Sequence, residues 1–215
     1  MNKIEEISHQ TIYRYSKRYK QMGYNIKTLG WGTKEQQEYR FIQTLDNNIE
    51  FKRKSILDIG CGFGDYFNFL SESNINISEY IGYDINSNLI NEAKKNCSAN
   101  ISTFYVKNII DREEKDIADI GVMLGVLNFN LKDKMDNLEY SKLFIKKAFS
   151  MVKDVLIVDF LSTKFTKEYE KEDFVFYHNP IEILEFAFTL SDNVILKHNY
   201  SPIPQKEFML FIYKD

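Results

Sequence analysis

The sequence predicts an α/β fold with helices on both faces of a mostly parallel sheet. After residue 50, short runs rich in β-branched and aromatic residues alternate with segments of helical periodicity, and this alternation is typical of parallel sheets. The last two runs are joined by little more than residues 201–206. That loop is too short for a crossover helix, so we expect an antiparallel hairpin. The seven candidate strands are Ser55–Ile59, Tyr80–Asp84, Thr103–Lys107, Ala118–Leu124, Val155–Phe160, Val194–Asn199 and Phe208–Tyr213.

The first fifty residues follow a helical pattern instead. Apolar side chains recur near helical spacing from Ile4 to Met22, which predicts an amphipathic helix. Glycines then interrupt the pattern, and a second helix is expected from Lys34 to about Leu45, with Phe41 and Ile42 buried. The chain is therefore expected to carry a helical lid or extension at residues 1–50 and a main domain at 51–215, with a cap segment near 161–180.

The overall composition and charge of the chain argue against several classes of function. Lysine plus arginine number 28 and aspartate plus glutamate 31, for a net charge of −3, whereas dedicated nucleic-acid binders usually have a basic balance. Two cysteines are too few for a disulfide framework, and the charged start of the chain lacks the apolar region of a signal peptide. The sequence thus predicts a cytoplasmic monomer or homodimer with no nucleic-acid or membrane partner.

A glycine-rich turn follows the first predicted strand. Gly60, Gly62 and Gly64 alternate directly after the apolar run that ends at Ile59. In open parallel sheets, ligands bind outside the carboxyl ends of the strands, and glycines there let the backbone approach a ligand closely. The turn therefore predicts a site for a nucleotide-like ligand.

Acidic residues around this turn argue against a ligand with phosphates. A dinucleotide fingerprint has glycine at the sixth position counted from Gly60, but this chain has Asp65 there, and Asp58 precedes the turn. Both carboxylates would repel a pyrophosphate and attract the sulfonium and amino groups of S-adenosylmethionine. The turn is therefore predicted to bind S-adenosylmethionine, and a dinucleotide-dependent oxidoreductase is disfavoured.

Asp84 ends the next predicted strand, 20 residues after Gly64. An acid at this place can accept hydrogen bonds from both hydroxyls of a ribose. Asp84 could alternatively cap the following helix, but Asn86 and Ser87 can provide that cap. We therefore predict a ribose contact for Asp84.

Together these residues resemble the signature of class I methyltransferases, Asp58-x-Gly60-x-Gly62-x-Gly64 with Asp84 closing the next strand. The resemblance covers about residues 50–215. It implies a three-layer α/β/α fold with a seven-stranded sheet in the order 3-2-1-4-5-7-6, in which strand 7 is antiparallel. The cofactor contacts that it implies are Asp58 and Gly60 beside the methionine moiety, Gly62 in the turn, Asp84 at the ribose, Ile85, Asn108 and Ile109 around the adenine, and Leu124 at the methyl-transfer channel.

A finer resemblance is to small bacterial methyltransferases found with surface-polysaccharide or natural-product genes. The residues that carry it are Gly30-Trp31-Gly32, Gly125-Val126-Leu127-Asn128 and Phe176-Tyr177-His178-Asn179-Pro180. It implies O-methylation of a small-molecule acceptor, namely a sugar, a sugar nucleotide or a phosphorylated precursor of a surface polysaccharide. Two alternatives stay open. One is a nucleic-acid (RNA) methyltransferase, although no Asn/Asp-Pro-Pro turn follows strand four, and the other is a non-catalytic S-adenosylmethionine-binding subunit.

The candidate catalytic residues are His178, Asn128 and Asp159. His178 follows an aromatic-rich segment and could act as general base for a hydroxyl acceptor. Asn128 follows strand four, and Asp159 lies near the end of strand five. No cluster of His, Cys and carboxylate residues at metal-ligand spacing is present in the sequence, so a metal-independent in-line transfer is expected.

Trp31 and Arg40 are candidate cofactor contacts from the N-terminal part of the chain. Arg40 could bind the cofactor's carboxylate through its planar fork of donors. It could equally be a solvated charge on a helix face. Trp31, held between two glycines, could pack on the cofactor or simply in the core.

Overall fold

The computed structural model describes residues 3–45, 49–97, 100–111, 113–165, 170–199 and 206–215. Part of the predicted cap, 166–169, and most of the predicted hairpin loop lie outside these residues. The chain divides into two compact units, residues 1–112 and 113–215. The helices are α1 (Lys3–Met22), α2 (Ile26–Leu29), α3 (Lys34–Thr44), α4 (Asp65–Glu72), α5 (Ser87–Asn96), α6 (Asn137–Ser150) and α7 (Pro180–Ala187). The strands are β1 (Ser55–Ile59), β2 (Glu79–Asp84), β3 (Ser102–Val106), β4 (Ala118–Met123), β5 (Val152–Leu161), β6 (Val194–Lys197) and β7 (Glu207–Tyr213).

The strands form one seven-stranded sheet in the order β3-β2-β1-β4-β5-β7-β6. β1, β2 and β3 pair in parallel, as do β4 and β5. β7 is antiparallel to both β5 and β6. The predicted fold class and strand order are therefore confirmed, including the antiparallel final pair.

In the first unit, β1 is buried along its whole length, its polar residues Ser55 and Asp58 included. α3 begins at an N-cap. The Thr33 side chain there accepts a hydrogen bond from the backbone N–H of Gln36, which satisfies one of the first-turn donors. α3 buries Phe41 as expected, but the prediction for Ile42 was wrong, because its side chain is 52 % exposed. The pattern also failed to predict α2, whose four residues are too few to show a helical period.

The core of the second unit lies on β5 and β7. Every residue of β5 from Val155 to Leu161 is buried, and six of the seven residues of β7 are buried as well. α6 adds the buried Phe144 and Ile145. α7 begins with Asn179 as N-cap and Pro180 in its first turn, where proline costs no hydrogen bond. The residues after β5 are thereby held in place by a capped helix start.

Candidate functional site

The glycine turn after β1 is built from residues with positive φ. Gly60, Gly62 and Gly64 have φ of 82°, 54° and 79°, a region that side chains with a Cβ rarely adopt. At Gly62 a Cβ would also come within 3.0 Å of the Leu29 side chain. Gly60 is exposed, so the backbone at the end of β1 can be approached by a ligand.

Asp84 links the turn to the end of β2. One of its carboxylate oxygens accepts a hydrogen bond from the backbone N–H of Gly62 at 3.1 Å, and the other accepts from the N–H of Asn86 at 2.8 Å. Burial raises the pKa of Asp84 to about 6 although these N–H groups oppose the rise. Asn86 caps α5, as expected. Each oxygen of Asp84 retains capacity for a second hydrogen bond, so the carboxylate can accept two hydroxyls.

Asp58 and Asp65 add negative charge around the same turn. Asp58 is 3 % exposed, and its carboxylate accepts a hydrogen bond from the Tyr80 hydroxyl. Burial raises the pKa of Asp58 to about 7. Asp65 accepts from the Gln37 amide at 3.1 Å and the Tyr24 hydroxyl at 3.3 Å, and burial raises its pKa too. The resulting negative potential favours a cationic ligand and opposes phosphate.

Arg40 and Trp31 lie against each other in the first unit. The Arg40 guanidinium carbon is 4.8 Å from the centroid of the Trp31 ring, and Arg40 Nη1 donates to the Gln36 carbonyl at 2.8 Å. Arg40 is only 5 % exposed. Arg40 is therefore not a solvated helix-face charge, and its contact with a cofactor carboxylate stays a prediction.

The residues predicted to surround the adenine lie after β2 and β3. Ile109 is 2 % exposed and Ile85 is partly buried. The Asn108 side-chain oxygen accepts from the Ile110 N–H, and its amide donates to the Ser8 hydroxyl of α1, both at 3.2 Å. Asn108 thus holds α1 as well as bordering the predicted adenine site.

In the second unit, Asp159 and Asn128 bind backbone groups. Asp159 is 1 % exposed and accepts a hydrogen bond from the Gly125 N–H at 2.5 Å. The Asn128 side-chain oxygen accepts from the Leu161 N–H at 3.0 Å. Leu124 is 8 % exposed. Both polar side chains fix the loop that follows β4, and their catalytic roles stay predictions.

His178 has no exposed surface. Its Nε2 lies 2.8 Å from the Ser141 hydroxyl, and its Nδ1 makes no hydrogen bond with any described residue. The rings of Phe160 and Phe176 stand edge-on to the imidazole, and each of their centroids lies 4.8 Å from the imidazole centroid. Burial lowers the pKa of His178 to about 3, so the imidazole is neutral at pH 7. A role as general base stays a prediction, and it would require this aromatic packing to open.

A family model described as a methyltransferase domain matches residues 50–203, well over half of the chain. The chain belongs to this methyltransferase family. The matched range includes the glycine turn and Asp84, on which the sequence-based resemblance rests.

The fold of this methyltransferase is similar to that of several solved structures. The magnesium protoporphyrin IX methyltransferase from Synechocystis PCC 6803, with bound SAM, has a TM-score of 0.68 at 15 % identity, with 100 % of this chain and 98 % of that chain covered. An S-adenosylmethionine-dependent methyltransferase from Clostridium acetobutylicum ATCC 824 has a TM-score of 0.61 at 12 % identity, covering 92 % and 98 %. A small RNA methyltransferase has a TM-score of 0.63 at 20 % identity, covering 86 % of this chain and 26 % of that chain. At these identities the likeness establishes the fold alone. The search of curated proteins returned no match to this chain.

Sequence reasoning missed a polar seam between α1 and the ends of β2 and α5 in this methyltransferase. The Asn86 amide donates to the Ser16 hydroxyl at 3.0 Å and to the Ile12 carbonyl at 3.1 Å, and the Asn88 amide donates to Ser16 at 3.2 Å. Tyr19 donates to Glu92 at 2.6 Å. The only signal in the sequence was the four-residue spacing of Ser8, Ile12 and Ser16, which places them on one helix face.

Among the described residues, no group of three or more His, Cys, Asp and Glu side chains could hold a metal ion. None of the helices in the described part of the chain is both long and apolar enough to cross a membrane.

Proposed function

We propose that the chain is an S-adenosylmethionine-dependent methyltransferase acting on a small-molecule acceptor. The acceptor we favour is a sugar, a sugar nucleotide or a phosphorylated precursor of a surface polysaccharide. Membership of the methyltransferase family supports the reaction. The observation that supports this cofactor is the position of Asp58, Asp65 and Asp84 around the glycine turn, where Asp84 accepts a hydrogen bond from the Gly62 N–H.

S-adenosylmethionine fits the residues of the first unit on chemical grounds. Its sulfonium and ammonium groups would be attracted by the negative potential of the turn, and its lack of phosphate avoids the repulsion that a dinucleotide would meet. Asp84 has acceptor capacity for both ribose hydroxyls. Ile85, which is partly buried, offers apolar surface for the adenine, and Asn108 an amide at its edge, while the buried Ile109 would support them from the core.

The methionine end of the cofactor also has complementary groups in the first unit. The buried Arg40 would pair with the carboxylate through its planar fork, beside Trp31. Gly60 and Gly62 would let the backbone approach the ligand. Asp58 would act through its charge, because its side chain is almost completely buried.

When bound, the cofactor supplies a methyl group activated by the sulfonium. The protein's part is to orient the acceptor, which can account for about 7–11 kcal/mol of the barrier. Leu124 would border the transfer channel. Asn128 and Asp159 would hold the loop after β4 in position for the acceptor, and the neutral His178 would keep the segment after β5 in place unless opening exposes it as a base.

Calorimetry tests the cofactor assignment directly. We expect S-adenosylmethionine and S-adenosylhomocysteine to bind, and NAD and ATP to give no heat of binding because their phosphates face Asp58 and Asp65. Binding of NAD in place of S-adenosylmethionine would overturn the proposal.

A panel of acceptors tests the rest of the proposed function. Methyl transfer from labelled cofactor is expected to nucleotide sugars or phosphorylated sugars, and not to RNA. Transfer to RNA at physiological salt would favour an RNA methyltransferase. Cofactor binding without turnover on any acceptor would favour a non-catalytic binding subunit.

A further inference from the structure

The positive charge of the chain is unevenly distributed. Residues 7–34 contain six lysines and arginines and no aspartate or glutamate, although the whole chain has a net charge of −3. The six cations are Arg14, Lys17, Arg18, Lys20, Lys27 and Lys34. Four of them lie on α1. A helix of this kind attracts anions.

Arg14 and Arg18 differ from the other cations of α1. Lys17 and Lys20 are exposed, whereas both arginines are partly buried. The arginines lie one turn apart, where like charges repel each other. Burial lowers the pKa of Arg14, and the charge of Arg18 contributes to the same shift. Two partly buried arginine side chains thus lie one helical turn apart, and this arrangement would be stabilised by an anion between them.

One donor of the Arg18 guanidinium is bound to the backbone, and another is buried without a partner among the described residues. Its Nη2 donates to the Lys27 carbonyl near the end of α2. Its Nε is buried without a hydrogen-bond partner among the described residues. A buried donor without an acceptor is costly, and an oxyanion drawn in beside the guanidinium would remove that cost.

Tyr15 interacts electrostatically both with this pair and with Asp84, the proposed ribose contact. Burial raises the pKa of Tyr15, the charge of Arg14 opposes the rise, and the charge of Asp84 adds to it. The phenol therefore lies within electrostatic reach of both the arginines and Asp84. The seam that joins Ser16 to Asn86 and Asn88 holds this part of α1 against the start of α5, which follows directly after Asp84.

We propose that Arg14 and Arg18 form an anion site that holds a phosphate group of the methyl acceptor, an inference that rests on the proposed function. Two planar forks suit the charge and the oxygen geometry of a phosphate. A small phosphorylated acceptor fits better than RNA because the two arginines form a compact, half-buried pair. A polyanion would need phosphate contacts along a longer basic surface.

Equilibrium binding of inorganic pyrophosphate to the full chain tests this site without the acceptor being known. The variant Arg14→Gln/Arg18→Gln is compared with Lys17→Gln/Lys20→Gln, which removes the same charge from the same helix at exposed positions. We expect the arginine variant to bind pyrophosphate at least tenfold more weakly than wild type, and the lysine variant to stay within twofold. Acetate is expected to bind neither variant nor wild type measurably.

The remaining outcomes separate this inference from the proposed function. Equal weakening in both variants, or in neither, would overturn the arginine site. Weakened S-adenosylmethionine binding in the arginine variant, with pyrophosphate binding intact, would assign the pair to the cofactor and also overturn it. Tight binding of a single-stranded RNA oligonucleotide that all four cations support would do the same. If wild type binds pyrophosphate but not S-adenosylmethionine, the proposed function fails while the anion site stands.

A second variant guards against misfolding. Arg14→Lys/Arg18→Lys keeps the charge and removes the forked donors. It is expected to bind pyrophosphate more weakly than wild type and to retain the wild-type circular dichroism spectrum. Unchanged pyrophosphate affinity in this folded variant would show that the fork geometry is not used.

Discussion

The glycine turn of the first unit and the segment after β5 in the second unit both bury ionisable groups, but burial acts on them in opposite directions. Asp58 and Asp84 have pKa values raised to about 7 and about 6, so at pH 7 Asp84 is mostly charged and Asp58 about half charged, and burial makes each charge costly. His178 has its pKa lowered to about 3, so it is neutral and bears no such cost. A bound cation would stabilise the first region. In the second region the neutral imidazole offers no charge for a ligand to neutralise.

The largest expected effect is on cofactor binding when the charge of Asp84 is removed. Asp84→Asn should weaken S-adenosylmethionine binding about 100-fold, because it removes about 3 kcal/mol of charged hydrogen bonds to two ribose hydroxyls. Calorimetry measures the effect. Asp192→Asn, at an exposed position, is the matched control and should bind as wild type. An Asp84→Asn protein with wild-type affinity would remove the ribose assignment.

A change at Asp58 tests the cost of the buried charge itself. The folded pKa of about 7 lies above the ordinary value of 3.8, so the folded state binds more protons than the unfolded state between these pH values. Stability from this group is therefore present at low pH and is lost as pH rises towards 7. The amide oxygen of Asp58→Asn can still accept a hydrogen bond from the Tyr80 hydroxyl. At pH 8 the variant's free energy of unfolding should exceed that of wild type by about 1–3 kcal/mol, and this difference should vanish near pH 4.

Thermal unfolding without ligand measures this difference at each pH. Asp133→Asn, at an exposed position, should show no such pH-dependent gain. A gain at pH 8 that persists unchanged at pH 4 would mean that the charge of Asp58 is not its cause.

His178 should give the opposite pH dependence. Its folded pKa of about 3 lies below the ordinary value of 6.5, so its contribution to stability is complete above pH 6.5 and is lost as pH falls towards 3.

Ser141→Ala would leave the buried Nε2 of His178 without a partner. The substitution should cost about 1–2 kcal/mol of stability, measured by chemical denaturation at pH 7. Ser150→Ala, a change of the same size at a residue that bonds its own helix, should cost less.

Kinetics decide whether the same histidine does chemistry. If His178 is neutral and structural, the methyl-transfer rate of Ser141→Ala should fall only in proportion to the fraction of folded protein. Any change of the wild-type rate near pH 6–7, where Asp58 and Asp84 titrate, should then be the same in His178→Gln. A pH dependence of the methyl-transfer rate in that range that disappears in His178→Gln, with cofactor binding intact, would instead assign His178 as the general base.

Local features of the sequence were enough to predict the fold, whereas the roles of the individual site residues stay predictions. β1 was predicted with its observed bounds because three large aliphatic residues within five positions directly precede a glycine-rich turn. The glycine turn and Asp84 were predictable for the same reason, since their spacing is short and fixed along the chain.

Contacts between distant residues were not predictable. The Tyr80–Asp58 hydrogen bond joins residues 22 apart, and the Asn86–Ser16 bond residues 70 apart, and neither leaves a period in the sequence. Ile42 shows the same limit in reverse, because helical spacing identifies an apolar position but not whether another element covers it.

The smallest expected effect concerns the seam that holds α1 in the first unit. Ser16→Ala removes the acceptor shared by Asn86 and Asn88, two bonds that are partly exposed and so replaceable by water, and should cost about 0.5–1 kcal/mol. If α1 retains the cofactor, as the predicted lid would, the dissociation rate of S-adenosylmethionine should rise two- to fivefold in stopped-flow measurements while its association rate changes less. Ser87→Ala, at an exposed residue in the first turn of α5, is the control. An unchanged dissociation rate in a destabilised Ser16→Ala protein would show that the seam supports the fold but not the lid, and that the acids of the turn retain the cofactor without help from α1.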